Sequence, residues 1–213
     1  MAGGVENPRL WCPMSHPAIL ILAAGFSARM RGGDKLLELV QGQPLLRRQA
    51  EMALSLTPQV IVTHRIPDPE RLAALHGLTL HLVPVLDPAE GMAASLRAGA
   101  AKAMALNAAG LMILPGDMPD LSRDDLARLI EAFDQDPEKI HRAAAADGRP
   151  GHPVLIPGDL ISELSLLTGD LGAKSMLARY KTRIRLHKLP EDHALIDLDT
   201  PEAWAAWRRL RGE

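Results

Sequence analysis

The sequence predicts an α/β fold of three layers, in which helices cover both faces of a mostly parallel central sheet. Short apolar runs alternate along the chain with longer segments of helical period, which is the element order of such folds. The early runs, Ile19-Leu20-Ile21-Leu22 among them, are apolar on both faces, as strands buried between two helical layers are. The length of 213 residues suits one domain of this kind.

Each element is predicted from its own pattern and from the residues at its ends. Apolar runs between turn residues predict strands over residues 18–24, 59–63, 78–85, 110–114, 153–156 and 184–189. Segments of helical period predict helices over residues 44–56, 69–75, 92–106, 122–133, 159–167, 172–180 and 201–211. Several of these helices begin with proline, serine or threonine, which favour the first positions of a helix.

Composition and charge argue against several classes of function. Lys and Arg number 24 and Asp and Glu 26, so the net charge is −2, with no excess to hold a nucleic-acid backbone. Aromatic residues are 3% of the chain, too few for the platforms that bind single strands. No apolar stretch near the N-terminus approaches the roughly 20 residues of a membrane span. The sequence therefore predicts neither nucleic acid nor a membrane as a partner.

The chain is interpreted as a leader followed by one domain. Residues 1–15 are predicted to be a flexible leader, and residues 16–213 a single domain, because no linker or repeat interrupts them. Cys12 is the sole cysteine of the sequence, so no disulfide can form within the chain. This cysteine usage fits a reducing compartment and predicts a cytoplasmic location.

Small residues and two cations follow the first predicted strand. The segment from Gly25 to Lys35 also contains Arg29. Small residues allow backbone N–H groups to approach a phosphate, an arginine can bind its oxygens through two hydrogen bonds, and a lysine adds a point charge. The segment lacks the spacing of the P-loop and dinucleotide-binding fingerprints. It therefore indicates a polyphosphate site, with an ordinary turn and solvated cations as the alternative.

Carboxylates follow two other apolar segments. Asp117 comes just after the strand predicted over residues 110–114, at the edge where open α/β sheets bind ligands. Mg²⁺ needs one or two carboxylates besides water and phosphate oxygens, so Asp117 is a candidate metal ligand, with helix capping as the alternative. Asp197 and Asp199 follow a strand predicted over residues 194–196, where alternation would put both on one face. They could complete the metal site, although the second also precedes the last predicted helix.

Six motifs, in the same order, resemble the signature of the nucleotidyltransferase family that attaches nucleotides to molybdopterin. They are Leu22-Ala23-Ala24-Gly25-x-Ser27-x-Arg29-Met30 with Asp34-Lys35-Leu36-Leu37, Gly91-Met92-Ala93-Ala94-Ser95-Leu96, Pro115-Gly116-Asp117-Met118-Pro119, Gly151-His152-Pro153-Val154-Leu155, Gly169-Asp170-x-Gly172-Ala173 and Asp197-x-Asp199-Thr200-Pro201. Together they span nearly the whole chain from Ala18, so the match is specific. One departure is Arg31, where many members have glycine, and this residue offers a further phosphate contact.

The resemblance implies a fold and an activity. The fold would be a Rossmann-like three-layer sandwich with a mostly parallel central sheet, similar to nucleotide-diphospho-sugar transferases. The activity would be transfer of CMP from CTP to the terminal phosphate of molybdopterin or the molybdenum cofactor, with release of pyrophosphate and dependence on Mg²⁺, or on Mn²⁺ in its place. GTP-dependent guanylyl transfer is one alternative. A non-catalytic carrier that holds the molybdenum cofactor for a molybdenum hydroxylase is another. Besides its substrates, the expected partner would be such a hydroxylase or its maturation factor.

The resemblance also implies a role for each motif residue. The nucleotide would be bound by residues of the first motif and of the motif that opens the third helix: Leu22, Ala23, Ala24, Gly25, Ser27, Arg29, Lys35, Gly91, Met92 and Ser95. The acceptor would lie near His152, Pro153, Asp170 and Gly172. Asp117 would bind the metal, with Asp197 and Asp199 as candidates to complete its site. Catalysis would rest on Arg29, Lys35 and Asp117.

Overall fold

The central sheet brings together strands from both halves of the chain. The computed structural model describes residues 16–169 and 172–212, and the leader predicted over residues 1–15 lies outside them. The strands in the described residues are β1 (Ala18–Ala23), β2 (Leu39–Val40), β3 (Gln43–Pro44), β4 (Val60–His64), β5 (His81–Pro84), β6 (Gly110–Pro115), β7 (Ile140–Ala144), β8 (Pro150–Pro157) and β9 (Ile184–Lys188). One sheet contains them in the order β5-β4-β1-β6-β8-β7-β9, and β2 pairs separately with β3.

All strands of this sheet except β8 run in the same direction. The strands β5, β4, β1 and β6 pair in parallel, as do β7 and β9, while β8 runs against its neighbours β6 and β7. The mostly parallel sheet predicted from the apolar runs is therefore confirmed. Because β1 lies between β4 and β6, the carboxyl ends of these strands form the middle of one sheet edge, where ligands bind in open α/β sheets.

Helices cover both faces of the sheet. In the described residues they are α1 (Leu45–Leu54), α2 (Pro69–Ala74), α3 (Met92–Ala105), α4 (Arg123–Gln135), α5 (Lys174–Arg179) and α6 (Pro201–Arg211). Successive residues of β1 point to opposite faces, so Ile19 and Ile21 pack with α1 and α4, whereas Leu20 packs with α3 and α5. These two cores make the three layers predicted from the sequence. None of these helices is long and apolar enough to cross a membrane.

The last helix packs against the loop after β1, β2 and the start of α1, and it holds the segment that precedes it. Thr200 caps α6, because its hydroxyl accepts a hydrogen bond from the Ala203 N–H at 3.2 Å, and Pro201 occupies the first turn. Trp204 and Trp207 are buried in a third apolar cluster, with their ring centroids 5.7 Å apart. This packing fixes the start of α6, directly after two of the candidate carboxylates.

Several elements differ from the sequence-based prediction in type or extent. The prediction does not include β2 or β3, and β5 is shorter and β8 longer than predicted. The apolar pattern does not predict β7, because His141 and Arg142 interrupt it. The helix predicted over residues 159–167 is a 3₁₀ helix, Gly158–Leu166. The helix predicted from residue 172 begins at Lys174.

The prediction of a strand over residues 194–196 is wrong. The N–H groups of Leu195 and Ile196 both donate to the Asp192 carbonyl, so this segment starts with a turn instead of pairing in a sheet. Its apolar character has another cause, because Ala194 is buried and its carbonyl accepts a hydrogen bond from the His152 N–H of β8 at 2.8 Å. Strand alternation therefore does not govern where the carboxylates after this segment point.

Candidate active site

A cleft of about 700 Å³ opens at the carboxyl edge of the sheet, beyond the ends of β1 and β6. One wall is the loop after β1, the other is the segment that leads into α3, and carboxylates lie between them. Most of the residues predicted to act in the site line this cleft, namely Leu22, Ala24, Gly25, Arg29, Lys35, Gly91, Met92, Ser95, Asp117, Asp197 and Asp199.

Lys35 lies between two of the carboxylates. Its Nζ atom donates hydrogen bonds to Asp117 Oδ2 at 2.5 Å and to Asp199 Oδ1 at 2.6 Å. Burial by itself lowers the pKa of Lys35, but the charges and hydrogen bonds of Asp117 and Asp199 outweigh burial and raise this pKa above its usual value. Lys35 is therefore a charged ammonium that joins two carboxylates from distant parts of the chain.

Backbone contacts bring these carboxylates together. The Gly116 N–H donates to the Leu22 carbonyl at 3.2 Å, and a Cβ atom on Gly116 would stand 2.9 Å from that oxygen. The loop after β6 thus approaches β1 as closely as only glycine permits. The Leu198 N–H donates to the Asp117 carbonyl at 3.2 Å and so holds Asp199 beside the same loop.

The two arginines of the first motif point to different places. Arg29 donates to Asp199 Oδ2 at 2.5 Å, but 70% of its side chain is exposed, so it can turn toward a ligand in the cleft. Arg31 pairs instead with Glu202 of α6 at 2.7 Å, and both side chains are largely exposed. The residue that departs from the family pattern therefore contacts α6 and is not among the cleft residues.

The carboxylates fit a divalent cation that is bound together with phosphate. Asp117 and Asp199 both contact one ammonium nitrogen, so their oxygens converge on a single cation-sized position. Asp197 lines the same cleft, and burial, followed by the charges of Asp117 and Asp199, raises its pKa. In residues 16–169 and 172–212 no three carboxylate, histidine or cysteine side chains are arranged as a complete metal site. Mg²⁺ does not require one, because it takes one or two carboxylates and completes its shell with water and phosphate.

Arg71 of α2 holds the first loop from behind. It is 1% exposed, and its guanidinium donates to the Asp34 carboxylate at 2.7 and 2.9 Å and to the Ala23 carbonyl at 2.6 Å. The Ser27 hydroxyl donates to Asp34 at 2.9 Å and accepts from Arg71 at 3.1 Å. Burial alone would raise the pKa of Asp34, but the Arg71 hydrogen bonds and charge, with smaller help from Ser27 and the Leu36 N–H, lower it.

This network changes the interpretation of two predicted nucleotide contacts. Ala23 and Ser27 are not among the residues that line the cleft, and both are bound to Arg71 behind it. Arg71 itself belongs to no motif that the sequence revealed. A buried arginine on a short helix leaves no sequence signal, and only the ion pair with Asp34, 37 residues earlier, shows what it does.

An exposed aromatic ring lies at the mouth of the cleft. Phe26 is 55% exposed and lines the cleft, and the Arg65 guanidinium stands 6.0 Å from its ring centroid. Arg65 also donates to the Gly25 carbonyl at 3.1 Å. Such a ring offers a flat surface to a planar ligand. Sequence reasoning missed Phe26 because it occupies an unspecified position of the first motif.

The wall opposite the first loop is formed by the start of α3. Ser95 is 7% exposed there and Met92 is 39% exposed. A Cβ atom on Gly172 would stand 2.7 Å from Met92 Sδ, so the segment before α5 packs on this wall. Glu90 also lines the cleft, and both of its carboxylate oxygens accept hydrogen bonds from Arg97.

Three of the predicted acceptor residues, His152, Pro153 and Gly172, are not among the residues that line the cleft. A Cβ atom on Gly151 would stand 1.9 Å from the Ala194 carbonyl oxygen, so this position requires glycine for the close approach of the two segments. Burial, followed by the charges of nearby cations, lowers the pKa of His152 to about 4, and the ring is neutral near pH 7. Pro153 is buried beside it, and Asp170 lies outside the described residues.

The fold and the cleft define the class of the protein, an α/β domain with a cationic loop and carboxylates at the carboxyl edge of its sheet. Such an edge is where domains of this class bind nucleotides. The chain belongs to the family of the MobA-like NTP transferase domain, which matches residues 19–184. The matched region runs from β1 to the first residue of β9 and includes the first loop, Asp117 and His152.

Relatives at about one third identity carry a common name. A molybdenum cofactor guanylyltransferase of Rhodopseudomonas palustris strain BisB5 is 32% identical over 211 residues, 93% of this chain and 97% of that protein. One of Burkholderia vietnamiensis is 32% identical over 175 residues, 76% of this chain and 82% of that protein. A third, of a Bradyrhizobium strain, is 36% identical over 143 residues, but this match spans 64% of this chain and 63%, less than two thirds, of that relative.

Solved structures share the fold over nearly the whole chain. The protein Rv0371c of Mycobacterium tuberculosis H37Rv superposes with a TM-score of 0.74 at 27% identity, over 93% of this chain and 99% of that chain. Its complex with manganese superposes with a TM-score of 0.71 at 25% identity, over 92% and 97% of the two chains. A CMP:2-keto-3-deoxy-manno-octonic acid synthetase bound to CTP reaches 0.71 at 17% identity over 93% and 99%, which is a likeness of fold alone. The fold similar to nucleotide-diphospho-sugar transferases is confirmed.

Proposed function

We propose that this protein transfers a nucleotidyl group from a nucleoside triphosphate to the terminal phosphate of molybdopterin or its molybdenum-loaded form. The family supports an NTP as the donor, and the names of the relatives support a role in molybdenum cofactor synthesis. The observation that carries the proposal is the position of Lys35 between Asp117 and Asp199, in a cleft that Arg29 also lines.

This arrangement supports a site in which a divalent metal ion replaces the Lys35 ammonium between the two carboxylates. In the structure Lys35 balances both carboxylates. When a triphosphate enters, Lys35 would turn to its oxygens, and Asp117 and Asp199 would hold Mg²⁺ or Mn²⁺, which neutralises and orients the phosphates when bound. The manganese complex of the Mycobacterium tuberculosis neighbour supports the use of a divalent ion.

The reaction needs no protein nucleophile. A phosphate oxygen of the acceptor forms a bond to the α-phosphorus of the nucleotide, and the bond from that phosphorus to the oxygen bridging to the β-phosphorus breaks, so pyrophosphate leaves. A phosphate monoester has its second pKa at about 6, so the attacking oxygen is ionised near neutral pH without a general base. Arg29 and Lys35 would stabilise the charge that develops on pyrophosphate, and the cleft would align the two phosphates.

The proposed nucleotide is GTP, because the relatives that support the function are named guanylyltransferases. CTP is the second candidate, and Ser95 favours it. Its side chain lies in the first turn of α3 on the wall of the cleft, where a hydroxyl could bond to the edge of a cytosine. Whichever of the two nucleotides the site prefers, the other should be a poor substrate. Competition between GTP and CTP therefore distinguishes the two candidates.

The test is pyrophosphate release from GTP and from CTP in the presence of Mg²⁺ and molybdopterin, for the wild type and for Asp117→Asn. Release by the wild type should require molybdopterin. Loss of one charged group that binds and neutralises the reacting phosphates should slow turnover by about 100-fold or more. The thermal unfolding midpoint should stay close to that of the wild type, because Asp117 lies at an open cleft.

Asp124→Asn is the matched control, since this aspartate of α4 has 85% of its side chain exposed. It should retain full activity. A preference for GTP would support guanylyl transfer, and a preference for CTP would move the assignment to cytidylyl transfer. Full activity of Asp117→Asn would overturn the proposed site. Binding of molybdopterin without consumption of either nucleotide would replace the enzyme with a cofactor carrier.

A further inference from the structure

Three basic side chains lie near the cleft, and only one of them, the candidate acceptor residue His152, has a role implied by the sequence. They are Arg142 of β7, His152 of β8 and Lys174, the first residue of α5. We call them the basic cluster. Only His152 belongs to a motif that the sequence singled out. Lys174 directly follows the motif that ends at Ala173, and Arg142 belongs to none.

The pairing of the strands places this cluster on one face of the sheet. Arg142 and Ile113 both lie opposite Val154, so the three residues form one row across β7, β8 and β6. Residues opposite each other in a sheet point to the same face, and Ile113 and Val154 pack in the core under α3 and α5. His152 lies two residues before Val154, and the charges of Arg142 and Lys174 both act on its pKa. Lys174 approaches the same face because it begins α5.

The same pairing places the cluster beside Asp117. The sheet order is β1-β6-β8, so Asp117, which follows β6, stands between the loop after β1 and His152 on β8. Arg142 Nε donates to the Gly151 carbonyl at 3.0 Å, which directs the guanidinium along β8 toward this edge. Asp117, Arg142 and Lys174 all influence the pKa of His152 by their charge, so they lie within electrostatic reach of its ring.

In residues 16–169 and 172–212, no carboxylate forms an ion pair with the two cationic side chains of the cluster. Among the described residues Arg142 bonds only to the carbonyls of Gly151 and Pro150, and burial without an opposing anion lowers its pKa. Lys174 is exposed and has no ion pair in this part of the chain. His152 Nδ1 is buried with no hydrogen-bond partner among the described residues. Half-buried charge is costly unless a ligand compensates it.

We propose that Arg142 and Lys174 bind the terminal phosphate of the acceptor and hold it on the side of Asp117 away from the first loop. An arginine can bind two phosphate oxygens and a lysine adds a point charge. His152 is neutral and hydrogen-bonds to the Ile113 backbone, so it lies beside this phosphate without donating to it. The inference rests on the proposed function for the identity of the molecule that carries this phosphate. The transfer brings together two anions, the triphosphate of the nucleotide and the phosphate of the acceptor. The first loop would bind the triphosphate, and the basic cluster would bind the acceptor phosphate.

The first experiment measures KM for molybdopterin and for the nucleotide in Arg142→Gln and Lys174→Gln. Loss of one hydrogen bond to a charged group should raise KM for molybdopterin about tenfold in each variant and leave KM for the nucleotide unchanged. Arg149→Gln and Lys181→Gln are the matched controls, since they remove the same charges from exposed positions outside the cluster. Lys174→Gln also guards against misfolding, because this side chain is exposed.

A rise in KM for the nucleotide alone would mean that the cluster binds the triphosphate, and unchanged values would remove its role altogether; either result overturns the inference. Arg142→Lys should fall between the wild type and Arg142→Gln, because it keeps the charge but loses the planar fork. A structural role alone would instead change stability without changing the ratio of the two KM values.

A second experiment uses inorganic phosphate as the probe and does not depend on turnover. Phosphate binding, followed by ³¹P NMR line broadening, should weaken about tenfold in Arg142→Gln and Lys174→Gln but not in the two controls. Phosphate held at the first loop would respond to Arg29→Gln instead and would overturn the inference. If molybdopterin supports no turnover while phosphate binding still depends on the cluster, the proposed function fails and the phosphate site stands.

Discussion

Two groups of cations lie on either side of Asp117, and they are compensated in opposite ways. In the first loop Lys35 and Arg29 both contact Asp199, and Arg71 holds Asp34 behind them. In the basic cluster, by contrast, neither of the two permanent cations has a carboxylate partner within the described residues. The cations of the first group are ion-paired without a ligand, whereas those of the second group have no ion pair in residues 16–169 and 172–212.

This difference indicates which kind of anion each side favours. A bare phosphate entering the first loop would have to compete with Asp117 and Asp199 for Lys35. A nucleotide that arrives with its own divalent cation avoids this competition, because the cation takes over the carboxylates and releases the ammonium. The basic cluster needs no such exchange and can accept a phosphate monoester directly. This difference in ion pairing would thus favour the metal-bound nucleotide at the first loop and the acceptor phosphate at the basic cluster.

The largest expected effect comes from breaking the support of the first loop. Arg71→Met would leave the carboxylate of Asp34 and that of Asp68, which is 4% exposed, without their buried cation. Removal of one partner from a buried ion pair costs about 3–5 kcal/mol, so the free energy of unfolding measured in urea should fall by that amount. KM for the nucleotide should rise as well, because the loop loses its link to α2.

Arg128→Met is the control, an exposed arginine of α4 at which stability and KM should both stay at wild-type values. If Arg71→Met lowers stability but leaves KM for the nucleotide unchanged, the network supports the fold alone. The first loop would then be positioned by its own backbone.

A smaller effect is expected on the opposite side, where His152 is neutral. Its pKa is lowered from 6.5 to about 4, chiefly by burial. Above pH 6.5 neither the folded nor the unfolded chain binds this proton, so the full stability is present. As pH falls from 6.5 toward 4, the unfolded chain takes up the proton first, and stability should decline by up to roughly 3 kcal/mol.

His152→Gln should remove most of this decline, as measured by urea unfolding between pH 4.5 and 7.5. His76→Gln, at an exposed histidine of the segment after α2, should keep the wild-type slope. An equally steep decline in His152→Gln would show that other groups cause the acid sensitivity. It would also mean that the pKa of His152 is not lowered by its surroundings. Arg142 and Lys174 would then not be the only members of the basic cluster that carry charge near pH 7.

The sequence predicts most of the fold and the front of the cleft because both rest on local patterns. The runs around Ile19 and Leu111 are apolar on both faces and form the middle of the sheet. Asp117 follows the end of β6, and Arg29 and Lys35 lie in the loop after the neighbouring strand β1, so the edge of the sheet brings these two segments together. Arg29 and Lys35 also contact Asp199, because the hydrogen bond from the Leu198 N–H to the Asp117 carbonyl places the segment before α6 beside the cleft.

The support behind the first loop and the basic cluster could not be predicted in this way. Arg71 and Arg142 lie 37 and 25 residues from the candidate residues Asp34 and Asp117, and neither stands at a position with a pattern of its own. Their roles depend on burial and on the order of strands, because a guanidinium that binds backbone carbonyls has the same sequence signature as a solvated one. The turn before Asp197 was mistaken for a strand for a related reason: its apolar residues pack against β8 without pairing with it.

The smallest expected effect tests whether Ser27 contacts the nucleotide or only holds the first loop in place through Asp34 and Arg71. Ser27→Ala removes the hydrogen bonds to Asp34 and Arg71, which should cost about 1 kcal/mol of unfolding free energy. KM for the nucleotide should hardly change, because the hydroxyl lies outside the cleft. Ser27 has a φ of 52°, so Ser27→Gly, which tolerates that backbone, separates strain from the lost hydrogen bonds. A tenfold rise in KM with unchanged stability would instead assign Ser27 to the nucleotide together with Arg29, and the division between the two sides of the loop would be lost.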